Sequence, residues 1–178
     1  MVEGILGEAF KAVWFILPAY VANSIAIDVS GIPFLKKYST PVDFGLRWKG
    51  TRLLGDGKTW RGVICGVAGG VACGLIQMTY QNNTDLPGMT LTLAFLLGLG
   101  ALVGDMTASF IKRRFSFERG ASIPLVDQLD YIFGAFFFAG LAVPINVEYF
   151  VIVAVITVPA HLIANFVAYK IKLKDVPW

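Results

Sequence analysis

Residues 89–111 read MTLTLAFLLGLGALVGDMTASFI and contain a single charged side chain, that of Asp105. About 20 apolar residues in a helix are enough to cross the hydrocarbon core of a bilayer. This stretch therefore predicts a membrane-spanning helix. Three basic residues, Lys112, Arg113 and Arg114, follow it directly. Basic residues just beyond an apolar span are typical of the cytoplasmic side of a membrane.

The whole chain shares this apolar character. Of its 178 residues, 56% are hydrophobic and 15% are charged, and the mean hydropathy is +0.68. Soluble domains carry about 25% charged residues. The composition excludes a disordered, collagen-like or disulfide-stapled chain, and it predicts an all-α polytopic integral membrane protein with one domain over residues 1–178. The net charge of +3 is small, so no nucleic-acid partner is expected.

Four other apolar stretches are long enough, or nearly so, to cross the bilayer. The five predicted spans cover residues 7–27, 62–81, 89–111, 129–143 and 147–169. The fourth is short for a span, which suggests that its helix starts before residue 129.

Lys and Arg alternate between the connections. They are concentrated in segments 28–61 and 112–128 and in the tail, whereas the connections at 82–88 and 144–146 contain none. The excess of basic residues in cytoplasmic loops sets membrane orientation. The N-terminus is therefore predicted outside, with both basic loops and the C-terminus in the cytoplasm.

Glycines recur every four residues in the second predicted span, at positions 62, 66, 70 and 74, and again at Gly100 and Gly104 in the third. Such spacing gives one helix face on which another helix can pack closely. The pattern predicts either a homodimer through these faces or packing within one chain, and the second interpretation is favoured.

The acidic residues of the third and fourth spans form the most specific cluster. Asp105, Ser109 and Lys112 share one face of a helix, and Asp127 and Asp130 lie one turn apart at the start of the next span. We expect the three carboxylates to converge where the two helices meet at the membrane surface. Carboxylates with substrate phosphates are typical Mg²⁺ ligands.

Basic residues beside this cluster, Lys112, Arg113, Arg114 and Arg119, are suited to neutralising phosphates. Two structural alternatives remain open. In the first, Asp105 forms a salt bridge with Lys112 or with a basic residue of the neighbouring loop. In the second, Asp127 and Asp130 are acidic residues at a helix N-terminus, where the helix dipole favours negative charge.

A second cluster is GDGKTWRG at residues 55–62. Its Gly-Lys-Thr resembles the end of a Walker A loop, but Thr51 stands where that loop requires glycine and no strand precedes it, so a P-loop is excluded. A glycine-rich loop entering a helix N-terminus still predicts a phosphate cradle, formed by Gly57, Lys58, Thr59 and Arg61. The alternative is a turn with cytoplasmic anchoring residues.

Weaker polar signals lie inside the first and fifth spans. Asn23 is expected to line a cavity, and His161 and Asn165 lie four residues apart, where they face the same cavity or form hydrogen bonds between helices.

The acidic and basic cluster carries a family resemblance. GDMTASFIKRRF, then RG, Pro124 and DQLD, resembles the signature of the cytidylyltransferases that make CDP-lipids. The chain is much shorter than CDP-diacylglycerol synthases, and it has Pro-Leu-Val where they have a PGHGG-like stretch. These departures, the GDGKTWRG loop and the C-terminal HLIANFVAYKIKLKDVPW resemble the archaeal branch, the CDP-archaeol synthases.

The resemblance implies a reaction, a cofactor and a set of residues. CTP and the prenylated lipid 2,3-bis-O-geranylgeranylglycerol 1-phosphate would give CDP-archaeol and pyrophosphate in the cell membrane, with Mg²⁺. By resemblance, Asp105 and Asp127 fall where the relatives hold metal, Asp130 is the next acidic position and a third expected ligand, and Lys112 and Arg113 occupy the family's Lys-Arg position. Together with the residues argued above, the expected substrate-binding set is Asn23, Gly57, Lys58, Thr59, Arg61, Ser109, Arg114 and Arg119. The resemblance does not fix which of the two arginines, Arg114 or Arg119, meets the nucleotide and which meets the lipid phosphate.

Three other classes of protein fit this pattern less well than a cytidylyltransferase. A CDP-alcohol phosphotransferase requires a DG…AR…G…D…D motif that is absent. A small transporter or channel should carry polar residues through both halves of its spans, whereas here they are concentrated at one surface. A non-catalytic lipid-binding protein would explain the basic loops but not three carboxylates among them, so an enzyme is favoured.

Overall fold

A computed structural model describes residues 2–29, 32–117, 123 and 125–172. Five α-helices account for most of them. They are α1 Val2–Asp28, α2 Trp60–Tyr80, α3 Leu91–Arg114, α4 Val126–Ala139 and α5 Val147–Lys170. Short 3₁₀ helices cover Pro33–Tyr38 and Gln81–Asn83. The connection between α1 and α2 also contains an antiparallel hairpin, β1 Arg47–Trp48 and β2 Thr51–Arg52, so the expectation of a purely helical chain needs this correction.

Four of the described helices are long and apolar enough to cross a membrane. These segments are Gly4–Asp28, Trp60–Tyr80, Leu91–Arg114 and Val147–Val167. They agree with four predicted spans to within a few residues, and a multi-pass membrane protein is confirmed. The predicted span 129–143 is represented by α4, which starts earlier, as expected, but has only 14 residues. At 1.5 Å per residue, α4 is about 21 Å long, less than the hydrocarbon core of about 30 Å.

Polar side chains immediately before three helices fix where those helices begin. The hydroxyl of Thr59 accepts a hydrogen bond from the Gly62 amide at 3.3 Å, and that of Thr90 accepts one from Leu93 at 3.1 Å. The side-chain oxygen of Asn146 accepts a hydrogen bond from the Glu148 amide at the start of α5. Each cap satisfies a backbone N–H that has no partner within the helix.

Helix α1 lies at the centre of the bundle, where it packs against each of the other four helices. Ile16 of α1, Leu97 of α3, Ile132 of α4 and Val153 of α5 are fully buried in one apolar core. This core holds α3 and α4 in the positions that bring their polar ends together.

The glycine face of α2 packs against α1 of the same chain. A Cβ at Gly66 would lie 2.7 Å from the Ala22 carbonyl oxygen of α1, and a Cβ at Gly70 would lie 2.8 Å from that of Pro18. Packing within one chain, the favoured interpretation of the glycine pattern, is therefore confirmed for α2. A homodimer stays a prediction, and these glycines are covered by α1.

The contact between α3 and α4 is equally close. A Cβ at Gly134 would lie 2.7 Å from the Gly104 Cα, and a Cβ at Gly104 would overlap the Asp130 carbonyl oxygen. Side chains at either position would push the helices apart, so the glycines bring the acidic segments of α3 and α4 together.

Candidate functional site

The connection between α1 and α2 folds back on itself before α2 begins. Val42 donates a backbone hydrogen bond to the Lys58 carbonyl at 2.8 Å, and Trp60 donates one to Thr40 at 3.0 Å. This pairing fixes the backbone of the GDGKTWRG loop on both sides of Lys58.

Asp43 organises the hairpin inside this connection. Its carboxylate accepts hydrogen bonds from the Arg52 guanidinium at 2.7 Å and from the backbone amides of Gly45, Leu54 and Gly55 at 3.1, 3.0 and 3.4 Å. Burial by itself would raise the pKa of Asp43, but these hydrogen bonds outweigh it and lower the pKa to about 2. Asp43 is therefore an ionised internal anchor for the loop.

Arg114, at the end of α3, attaches the hairpin to the helix bundle. It donates to the backbone carbonyls of Trp48 at 3.0 Å and Arg52 at 2.8 Å. Its guanidinium also lies 5.5 Å from the Trp48 ring centroid and 5.2 Å from that of Phe110. These contacts assign Arg114 a structural role in holding the loop over the end of α3.

The loop places Lys58 next to α3, and the Lys58 ammonium forms an ion pair with the Asp105 carboxylate. Both side chains are about one quarter exposed, at 26% and 28%. They line a cavity of about 140 Å³ together with Asn23 and Gly57. Thr59 also lines this cavity, so the structure brings together five of the predicted site residues. Of the two expected partners of Asp105, the structure shows the neighbouring loop rather than Lys112.

A second ion pair joins α3 to α4. Lys112 donates to Asp127 at 2.7 Å, and the other carboxylate oxygen of Asp127 accepts from the Ile123 amide at 3.1 Å. Asp130, one turn later, accepts from the Tyr131 amide at 2.6 Å. The Asp130 carboxylate lies within electrostatic range of Asp105, Asp127 and Lys58, so the two ion pairs belong to one site.

The chemistry of this donor set fits Mg²⁺. Hard carboxylate oxygens come from two packed helices, although no three acidic, His or Cys side chains in the described ranges are grouped closely enough to enclose an ion. Mg²⁺ usually keeps several waters and takes phosphate oxygens from a substrate. One or two carboxylates, with the rest of the ligands from water and phosphate, are therefore sufficient.

Two larger cavities are lined by residues from the last turn of α3. An apolar groove of about 540 Å³ lies between α3 and α4, and its polar lining includes Lys112 and Asp130. A separate cavity of about 300 Å³ is lined by Arg52, Arg113 and Gly55, among others. Gly55 has a φ of +100°, a conformation that L side chains rarely adopt, so glycine suits this turn.

Other predicted residues have mainly structural contacts. Arg61 donates to the Leu35 carbonyl at 2.5 Å, Thr59 caps α2, and Arg113 donates to the Phe117 carbonyl at 2.6 Å. Ser109 lies one turn beyond Asp105 on α3, partly buried.

The remaining candidate residues are His161, Asn165 and Arg119. His161 and Asn165 are on α5, and Asn165 is buried. Arg119 lies outside the described residues.

Sequence reasoning did not identify Asp43, Arg52 or Trp48. One signal was available for Asp43, because it is the first acidic residue of a connection otherwise dominated by Lys and Arg. A carboxylate in such a loop followed by glycine-rich turns is a candidate for an internal hydrogen-bond anchor. No comparable signal indicated that Trp48 would contact Arg114, 66 positions away.

Comparison with known proteins gives one consistent result. Residues 4–178 match the family model CarS-like CDP-archaeol synthase. The CDP-archaeol synthase of Methanocaldococcus jannaschii is 44% identical over 178 residues, covering 95% of this chain and 97% of that protein. The CDP-archaeol synthase of Archaeoglobus fulgidus is 40% identical, covering 94% and 97%.

A solved structure also matches, with a TM-score of 0.72 and 37% sequence identity. The match covers 86% of this chain and 92% of the other. That protein is described as an intramembrane enzyme for archaeal membrane lipids biosynthesis.

Proposed function

Because the chain belongs to the CDP-archaeol synthase family, we propose that it transfers the cytidylyl group of CTP to 2,3-bis-O-geranylgeranylglycerol 1-phosphate. The products are CDP-archaeol and pyrophosphate. The observation that carries the assignment of the site is the position of Lys112 and Asp130. Both line the apolar groove between α3 and α4, and Asp130 is within electrostatic range of the Lys58–Asp105 pair.

The lipid substrate fits the groove between α3 and α4. Phe133 and Phe137 of α4 lie along its apolar wall, which suits prenyl chains, while Lys112 supplies a positive charge for the lipid phosphate. The phosphate then lies next to the paired carboxylates.

The loop residues suit CTP. Lys58 carries a positive charge into the small cavity beside Asn23 and Gly57, and Arg113 and Arg52 line the cavity beside the hairpin. We assign the triphosphate to these basic side chains because charge-assisted hydrogen bonds to phosphate oxygens are short and strong.

The chemical step needs no strong general base. An oxygen of the lipid phosphate, already ionised, forms a bond to the α-phosphorus of CTP, and the bond from that phosphorus to the β-phosphate bridging oxygen breaks. Lys58 and Lys112 stabilise the negative charge that gathers on the transferring phosphoryl group. One or two of the carboxylates of Asp105, Asp127 and Asp130 would hold Mg²⁺, which would supply further positive charge to the phosphates.

The reaction is tested by pyrophosphate release from detergent-purified protein given CTP, Mg²⁺ and the geranylgeranyl ether phosphate, with each omitted in turn. Release that requires all three, together with a CDP-lipid product, supports the proposal. Well-folded protein that forms no product contradicts it.

We also propose that α4 and the residues around it form a fifth crossing, with the N-terminus outside and the basic loops in the cytoplasm. The proposal is supported by the basic residues that α3 carries at its last turn, Lys112, Arg113 and Arg114, and by the hairpin that Arg114 attaches there. Protease-sensitive tags at the two termini decide the matter. Five crossings put the tags on opposite sides of sealed vesicles, whereas four put them on the same side.

A further inference from the structure

The connection between α1 and α2 carries large apolar side chains on its surface. Phe34 is 73% exposed, Phe44 is 70% exposed and Leu46 is 59% exposed. Tyr38 and Trp48 are also more than half exposed. These five residues form the loop surface. Exposed apolar surface of this extent marks contact with another protein or with a membrane.

Two contacts hold the loop surface beside the first turn of α2. The centroids of the Phe44 and Trp60 rings are 6.2 Å apart. Arg61, the next residue, donates to the Leu35 carbonyl, which ties the 3₁₀ helix Pro33–Tyr38 to the same turn. Since α2 is long and apolar enough to cross a membrane, the loop surface lies where a span begins.

The length of α2 places its first turn at the edge of the hydrocarbon core. Its 21 residues extend over about 31 Å at 1.5 Å per residue, which matches a core of about 30 Å. Trp60 and Ile64, one turn apart, are 41% and 64% exposed. Gly62 and Gly66 of the same helix are buried against α1. The Trp60 face of α2 therefore points to lipid, at the depth where tryptophan and tyrosine are enriched in membrane proteins.

The charges exposed on this part of the connection are positive. Between residues 32 and 50, the exposed charged side chains that the structure describes are Lys37, Arg47 and Lys49. The acidic residue of this stretch, Asp43, is buried and accepts a hydrogen bond from Arg52. The loop surface therefore combines exposed aromatic rings with exposed cations and shows no exposed carboxylate among its described residues.

Lys37 illustrates how the two kinds of side chain are combined. Its ammonium lies 5.4 Å from the Phe34 ring centroid and 4.9 Å from that of Tyr38. A lysine over aromatic rings keeps its charge at the boundary between apolar groups and water. Phosphates of lipid headgroups lie at the same boundary of a bilayer, so anionic lipids complement this surface in both charge and depth.

We propose that the loop surface lies in the interface of the adjacent leaflet and binds anionic lipids. Its aromatic side chains enter the upper part of the acyl chains, and the basic residues Lys37, Arg47 and Lys49 contact headgroup phosphates. Each basic residue near an anionic leaflet adds to this attraction. These lipids are partners of the protein rather than its substrate, which is assigned to the groove between α3 and α4.

The test uses brominated lipids, which quench the fluorescence of a tryptophan that they contact. A variant with Trp60 as its single tryptophan (Trp14→Phe, Trp48→Phe and Trp178→Phe) is reconstituted into bilayers of phosphatidylcholine and phosphatidylglycerol. One lipid carries bromine near the top of its acyl chains, and the labelling is then reversed. Phosphatidylglycerol is expected to be enriched about fivefold beside Trp60, the contribution of one basic side chain. Equal quenching by the two lipids, or none by either, overturns the proposal.

Two double substitutions with the same change in charge make the result specific. Lys37→Glu with Lys49→Glu is expected to reduce the enrichment to about onefold. Lys170→Glu with Lys172→Glu is the control and should preserve it. Lys170 ends α5, and among the described helices α5 packs against α1 and α4 but not against α2. Enrichment that persists in the first pair, or that is lost equally in both, overturns the assignment to the loop surface.

A single substitution covers the case in which the single-tryptophan protein fails to fold. The difference in quenching between the unmodified protein and Trp60→Phe isolates the contribution of Trp60, and the same enrichment is expected. An equal difference for the two lipids overturns the proposal. Because none of these measurements depends on pyrophosphate release, failure of this proposal is distinguishable from failure of the proposed reaction.

Discussion

Lys58 and Asp105 form an ion pair although 47 positions of sequence separate them. Lys58 belongs to the connection between α1 and α2, and Asp105 lies in α3, nine residues before that helix ends. The pair therefore joins a loop to an apolar helix at the one place where the helix carries an acidic side chain. Ionisable residues inside apolar spans are costly and are usually functional.

Replacing Asp105 tests whether this carboxylate acts in catalysis. Asp105→Asn keeps the shape of the side chain but removes its charge, so we expect turnover to fall by at least about 100-fold, as is common when a charge-stabilising group is lost. The melting temperature should change little. Pyrophosphate release and thermal unfolding measure the two effects.

The matched control is Asp85→Asn, which removes a carboxylate from the connection after α2. It should leave turnover unchanged. Full activity in Asp105→Asn would remove this residue from the site.

Lys112 is predicted to act on the lipid phosphate, because it lines the groove between α3 and α4. Lys112→Met should raise the KM for the lipid by about tenfold or more, the effect of about 1.4 kcal/mol of lost binding, with a smaller change in the KM for CTP. Lys170→Met, at the end of α5, is the control.

Lys112→Met also leaves Asp127 without its ion pair, so a neutral variant is needed. Val103→Trp narrows the same groove without a change in charge. It should raise only the KM for the lipid. A selective rise in the KM for CTP would instead assign this groove to the nucleotide.

Close contact between α3 and α4 makes Gly134 sensitive to a single methyl group. In Gly134→Ala the new Cβ would lie 2.7 Å from the Gly104 Cα. We expect a loss of about 1–3 kcal/mol in the free energy of unfolding, typical of overpacking. Gly7→Ala on α1 is the control because nothing lies within 4 Å of its Cβ; equal unfolding free energies for the two variants would contradict the close contact.

The ionised Asp43 carboxylate predicts a defined pH dependence. Its pKa is about 2 in the folded protein and about 3.9 in an unfolded chain. The stabilisation is therefore present above about pH 4 and is lost as the pH falls through about 2. At neutral pH, Asp43→Asn should cost about 2 kcal/mol, and the difference from the unmodified protein should shrink below pH 4 in unfolding measurements.

Asp56→Asn supplies a matched control for that experiment. Asp56 also forms an ion pair with Arg52, at 2.5 Å, but its side chain is 58% exposed. Exposed pairs contribute little to stability, so this variant should have a small effect at every pH. Similar losses in both variants would mean that burial of Asp43 is unimportant.

The long apolar helices were accessible to sequence reasoning because length and composition alone determine whether a segment can span a bilayer. The α3 span and the position of Asp105 within it follow directly from residues 89–114. An earlier start of α4 was expected, but its first residue did not follow, because Leu125, with a φ of +69°, turns the chain although leucine is not a typical turn residue. The apolar sequence of α4 continues past Ala139, where the helix ends, so the end of α4 did not follow from the sequence either.

The site was only partly predictable for a related reason. The spacing of Asp105 and Lys112 correctly indicated a shared helix face, but which cation meets which carboxylate depends on contacts between helices. The close approach of Gly104 and Gly134 brings Asp127 to Lys112, and the folded connection brings Lys58 to Asp105. The local pattern of residues does not determine either of these two pairings.

The two lysine–aspartate pairs have a consequence for how ligands bind together. Before substrate arrives, Lys58 and Lys112 are neutralised by the enzyme's own carboxylates. A phosphate that takes over either lysine releases an aspartate, and that aspartate becomes available to a divalent cation. Under the proposed function, anion and cation binding are therefore cooperative, and by thermodynamic reciprocity each increases the affinity for the other by the same factor.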